Sequence, residues 1–176
     1  MSHFDEELDR RKQRGAEDTA RRKSEEDKGL QESMRMAAYE LESTQEVRAW
    51  AANKLAEIAP SHAETLIERA AVRIKRPLQK ERWERQPVER VRGWRVKIHD
   101  TYDRDSGNRE FRAVYLLTDS RIATGDPSDV QIVRTPEDWY KRRQVLGLEY
   151  NWRGKEANEW YRISESDFIS AVQRYT

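Results

Sequence analysis

Cysteine is absent from the 176 residues, which excludes a disulfide framework and any thiolate metal site. Large aliphatics are scarce. Leu, Ile, Val and Phe together number 31, under a fifth of the chain, and mean hydropathy is −1.11. No apolar run approaches the ~18 residues that a membrane-spanning helix needs, and the polar N-terminus lacks the apolar stretch of a signal peptide. Glycine occurs only seven times. The sequence contains no phosphate-cradling glycine loop, no Gly-x-Ser-x-Gly elbow and no His-Glu-x-x-His pair. No catalytic residue, cofactor or metal is assigned on this basis, and no stretch matches a family signature.

So few aliphatics would suit a disordered chain. Against that stand 16 aromatic residues and a net charge of only +1, from 34 basic and 33 acidic side chains. The expectation is a folded, soluble α+β protein that avoids the membrane, cytoplasmic (intracellular) or part of a virion.

Charge divides the chain unevenly: 1–42 is net −3, 43–92 is net +4, and 93–176 is neutral. In 1–29 the only sizeable apolar residues after the initiator are Phe4 and Leu8. A charged arm of that kind is disordered, a helix laced with opposite charges, or a segment that orders on a partner. Helical periodicity begins with Leu30, Met34, Ala38 and Leu41. Ser43 and Glu46 form a capping-box pair ahead of Val47, Ala51, Leu55 and Ile58. Ser61 and Glu64 form another, ahead of Leu66, Ile67, Ala70, Ala71 and Ile74. With Pro60 and Pro77 as stops, this predicts a helical hairpin within a helical region over 30–76.

The segment 77–92, with Pro87 inside it, reads as a basic linker. From Trp94 the period becomes two. Trp94, Val96 and Ile98 alternate with polar residues, 103–108 is a turn cluster, and Phe111 to Leu117 returns as a second strand. In that register Phe111, Ala113, Tyr115 and Leu117 share the face of Trp94. Val130 to Val133 predicts a third strand. Thr135, Pro136 and Asp138 open one short helix, and Ser164 with Asp167 opens another. Tyr150–Arg153 and Trp160–Ile163 suggest a last hairpin. The expected architecture is therefore α+β: an N-terminal charged arm and helical hairpin followed by a small antiparallel sheet with two short helices, the last occupying 93–176.

Two clusters can carry binding. Residues 69–97 hold eleven Lys and Arg against three Glu. Arg69, Arg73, Arg76, Lys80, Arg82 and Arg85 can neutralise phosphates, and Trp83 can stack on a base. The bland account pairs these arginines with the acidic arm or leaves them solvated. The second cluster is Tyr150, Trp152, Trp160 and Tyr161, a protein-interface candidate because Trp and Tyr dominate interface energetics. Cross-strand aromatic pairing in a small hairpin that lacks aliphatic residues is the simpler account of it. The Asp103–Asp105–Gly107 run fails the calcium-loop pattern, with glycine one position early and Val114 where a glutamate is needed. His99 with Glu110 diagonally across the hairpin is too little for a metal site. The leading expectation is a non-enzymatic assembly or adaptor protein acting through a protein partner or as a homo-oligomer. The alternative is a nucleic-acid-binding accessory protein using 69–97.

Overall fold

The computed structural model describes residues 3–102, 109–146, 148–150, 156–158 and 162–176. It is an α+β fold, as composition and patterning indicated. Helix α1 spans His3–Ser43 without interruption, a rod of about 60 Å at 1.5 Å per residue. From Phe4 to Glu32 every residue except Glu7 is exposed. The arm is thus the charge-laced helix, with Glu6–Arg10, Glu7–Arg11, Asp18–Arg21 and Glu32–Arg35 paired along its surface. Packing begins near Met34 and is carried by Ala37 and Glu40, both buried.

A single residue, Thr44, joins α1 to α2 (Gln45–Ile58). The capping box expected from Ser43 and Glu46 does not form. Thr44 stands at the N-cap without a side-chain cap bond, and its hydroxyl donates to the Glu40 carbonyl at 2.6 Å. Arg48 Nη2 donates to the Leu41 carbonyl at 2.8 Å. The polar groups at this joint satisfy the orphan carbonyls that end α1 rather than the amides that start α2.

The helix expected after Ser61 is a strand. A 3₁₀ turn, Pro60–His62, leads into β1 (Glu64–Ile74). A spacing of four is a helical neighbour and also an even number, so Leu66, Ala70 and Ile74 fit either period. The β-branched Thr65, Ile67, Val72 and Ile74 favour the strand, and pairing decides it. The helical pair is α1 and α2 alone. Its partner strand β2 (Arg82–Tyr102) occupies most of the supposed linker. Pro87 is tolerated there because the ladder shifts register between Glu68 and Arg69, and a bulge is where a missing N–H does least harm.

β3 (Arg109–Leu117), β4 (Ile122–Asp126) and β5 (Asp129–Val133) continue the meander, each antiparallel to the last. β4 had no counterpart in the sequence reading. The five strands close into a barrel through a parallel contact, Glu68 with Val130. The parallel sense is geometric: four reversals leave the first and last strands pointing the same way.

Two cores result. Inside the barrel lie Leu66, Ala113, Tyr115, Leu117, Ala123, Val130 and Ile132. Outside it, Trp94, Val96, Val114 and Leu116 pack against Ala51, Leu55, Trp139 and Phe168 of the helices. Ile98 pairs with Ala113 as expected, but the ladder shifts register between Arg95 and Lys97, so Trp94 pairs with Leu116 and its expected sharing of a face with Ala113, Tyr115 and Leu117 is wrong by one residue. Every residue from Ala113 to Leu117 is buried. A strand covered on both faces offers no alternation to set its phase. Gly93 sits where a Cβ would lie 2.7 Å from the Leu116 carbonyl oxygen.

α3 (Pro136–Leu146) and α4 (Glu165–Gln173) start where their capping signals place them. Asp138 accepts the amides of Arg134 and Thr135, and Ser164 with Asp167 completes a capping box. Trp94 donates its indole N–H to the Ala59 carbonyl at 2.8 Å, and Trp139 donates to Glu40 Oε2 at 2.9 Å. Glu40 Oε1 lies 3.1 Å from Arg143 Nη2, with both side chains under a tenth exposed, which fastens α1 to α3. A separate pair, β6 (Leu148–Tyr150) and β7 (Glu156–Asn158), forms a short hairpin. Trp152, Trp160, Tyr161 and the turn cluster 103–108 lie outside the described residues. Among the described residues no helix is long and apolar enough to cross a membrane.

Candidate nucleic-acid interface

Beyond Glu68, β1 and β2 leave the barrel and continue as a two-stranded ribbon, with pairs running from Arg69↔Pro87 to Ile74↔Arg82. Neither strand has a second neighbour there, since β5 meets β1 at Glu68 and β3 meets β2 from Gly93 onward. At about 3.3 Å per residue the ribbon projects roughly 20 Å. Its apex is the turn Arg76–Pro77–Leu78–Gln79, in which the Gln79 amide donates to the Arg76 carbonyl at 3.2 Å. Proline in the second position and Leu78 at φ 66° in the third are the features of a type II turn. That third position normally takes glycine or asparagine. A leucine held there costs about 1–2 kcal/mol, and its side chain is fully exposed.

All seven residues of the basic candidate set fall on this ribbon, and the structure sorts them by height. At the root, Arg85 grips the Asp129 carboxylate with Nε and Nη2, each bond 2.7 Å. Arg69 Nε donates to the Ser128 carbonyl at 2.9 Å, and Arg69 and Arg85 each donate to the other's carbonyl. These two arginines tie the ribbon to the β4–β5 turn. Midway, Arg73 pairs with Glu81 and Arg82 with Glu84. At the outer end, no carboxylate among the described residues pairs with Arg76 or Lys80. Trp83 stands opposite Arg73 and is 69% exposed. Residues 70–86 carry six basic and two acidic side chains, net +4. Among the described residues, the arm's Glu6, Glu7, Asp18 and Glu32 pair with arginines of their own helix, and no pair links the acidic arm to this segment.

The base of the ribbon is stiffened by a second network. Glu68 accepts the Ile132 amide and two bonds from Arg134, at 2.8 and 2.6 Å. Arg134 also reaches Glu89, which in turn accepts from Arg121 at 3.0 Å. The Arg134 hydrogen bonds hold the Glu68 carboxyl below its ordinary range despite burial, and they raise Arg134 in return. A cleft of about 500 Å³ between α1, α2 and the barrel opens beside these groups, lined by Leu41, Arg48, Ile122 and Val133 among others. Its deepest cation, Arg48, has its pKa lowered by burial and is already held by Thr44 Oγ1 and the carbonyls of Leu41 and Ser120. The ribbon end, with two unpaired cations and an open indole, is the better-built binding surface.

Tyr150 stands in β6 opposite Glu156, and the other three members of its cluster lie outside the described residues. His99 is opposite Arg112 and Glu110 opposite Thr101, the diagonal relation that the sequence register gave. The sequence reading missed Leu78. Its signal was available: Arg-Pro-Leu-Gln between two runs that fit a period of two is a hairpin turn. No known protein family, curated protein or solved structure matches this chain.

Proposed function

We propose that this is a non-enzymatic accessory protein that binds nucleic acid through the β1–β2 ribbon. The observation supporting the reading is the division of labour along that ribbon. Arg69 and Arg85 anchor its root, while Arg76 and Lys80 at its outer end meet no carboxylate among the described residues and Trp83 on its flank is exposed. Cations that release counterions from phosphates, beside an aromatic face, are the ingredients of sequence-tolerant nucleic-acid binding. The test is fluorescence anisotropy with labelled single-stranded and duplex DNA over a salt series. Affinity should fall steeply with salt, and Arg76→Glu with Lys80→Glu should weaken binding at least tenfold on every sequence tried. No affinity at low salt, or an unaffected double variant, refutes the reading.

A second reading, an assembly or adaptor protein (a virion component among the possibilities), is favoured by α1. From Phe4 to Glu32 this helix is exposed at every residue except Glu7, a reach of about 43 Å. Here the partner is a protein or a second copy. If a chain without residues 1–29 keeps the solution mass and every protein contact of the full chain, that role for the arm is refuted.

A further inference from the structure

Leu78 combines two features that folding does not explain. It occupies a left-handed backbone position that glycine would take without strain, and its side chain is fully exposed. A strained backbone position kept for a side chain that packs on no core points from structure toward use. Its neighbours narrow that use. Pro77 precedes it, Arg76 and Lys80 flank the turn, and Trp83 lies on the ribbon flank. The net +4 of residues 70–86 disfavours pairing with a second copy of the same ribbon and favours a polyanion. An isolated two-stranded hairpin is marginally stable in water, so a partner that covers it also stabilises it.

We infer that the apex is a wedge for duplex DNA: Arg76 and Lys80 seat the turn on phosphates across a groove while Leu78 enters between two base pairs and partly unstacks them. Apolar side chains inserted at a base step kink the duplex toward the opposite groove. The inference rests on the nucleic-acid reading above and adds its mode. It accounts for a leucine where the turn prefers glycine, because glycine would relieve the backbone and leave nothing to insert. It also accounts for the rigid root, since a wedge transmits force only if its base does not yield.

Two probes separate mode from binding: an intact DNA duplex and the same duplex with a single central nick, where unstacking is already partly done. The full chain should bind the nicked duplex about tenfold tighter, and dyes at the duplex ends should report a shorter end-to-end distance on binding. Leu78→Gly removes the wedge and the backbone strain together, so its melting temperature should equal or exceed that of the parent. It should still bind the intact duplex with an affinity that falls steeply with salt, through Arg76 and Lys80, and lose both the preference for the nick and the shortening. A parent that binds both duplexes equally without bending them, or a Leu78→Gly variant that keeps preference and bend, overturns the wedge and leaves the basic ribbon standing. A parent that binds neither duplex nor single strand at low salt overturns both readings. A solution mass of two chains that falls to one in Leu78→Gly also overturns the wedge and gives the apex to a second copy.

Discussion

Arg85 and Asp129 meet in a two-pronged ion pair, Nε to Oδ2 and Nη2 to Oδ1, both at 2.7 Å. They are 44 positions apart in sequence, and the pair joins a ribbon that leaves the barrel to the strand that closes it. Both side chains are more than a third exposed, so the pair adds under about 1 kcal/mol to global stability. Its effect is local. Arg85→Ala should leave the urea midpoint nearly unchanged while the amides of 70–74 exchange with solvent about tenfold faster. Unchanged exchange there would show that the ribbon is held by its ladder alone.

Glu40 carries a larger share. It is the carboxylate between Trp139 and Arg143, in a place almost closed to water. Removing one partner of a buried pair leaves the other charge uncompensated, so Glu40→Ala should cost about 3 kcal/mol, the low end because Arg143 has further contacts. Replacing both residues by methionine should recover most of that loss, since the desolvation cost goes with the charges. Chemical denaturation of the three proteins decides it. A loss below about 1 kcal/mol in the single variant would mean that α1 and α3 are held by their apolar contacts.

Acid should loosen the barrel at Glu68. Hydrogen bonds from Arg134 depress the folded-state pKa of this carboxyl below its ordinary 4.5. Stability from this group is therefore complete above the unfolded-state value and is lost as pH falls through the folded one. Between pH 7 and pH 3 the parent should lose more stability than Glu68→Gln, which has no proton to gain at that site. Asp126 and Asp138, also depressed by hydrogen bonds, keep part of the acid slope in the variant. Equal slopes in both proteins would show that Glu68 is not ion-paired in solution.

What the sequence disclosed follows the kind of signal each element carries. Local chemistry was legible: the caps at Thr135–Asp138 and Ser164–Asp167, and the helix through Ala51 and Leu55, depend on residues within a turn of one another. Choices made by distant pairing were not. Whether Leu66, Ala70 and Ile74 belong to a helix or a strand depends on Val91, Gln86 and Arg82, their partners in β2. The pairing of Trp94 with Leu116 was hidden because a bulge between Arg95 and Lys97 shifts the register, and a strand with the barrel on one face and the helices on the other shows no alternation that would reveal the shift. In the candidate interface, the residue types were visible as a basic run around a tryptophan. Their sorting into anchors and open cations was not, because Asp129 and Ser128 lie in another strand and its turn.

Alkali tests the barrel interior. Tyr115 lies wholly inside, where burial first and the Glu64 carboxylate second disfavour a phenolate, and Arg95 only partly offsets them. Its pKa is pushed from 10.0 up to about 12. An acid that holds its proton longer in the folded state stabilises fully below its unfolded pKa, and that contribution declines as pH rises toward the folded value. Between pH 10 and about pH 12 the unfolded chain ionises this tyrosine while the folded chain does not. The parent should therefore lose stability across that window faster than Tyr115→Phe, which keeps the ring in the core and has no phenol to ionise. A phenolate absorbance titration supplies the second reading: of the seven tyrosines, one more should ionise near pH 10 in urea than in buffer on account of this residue, and Tyr115→Phe should abolish that difference. If parent and variant fall together with rising pH, water reaches the barrel interior and Tyr115 is not sealed within it.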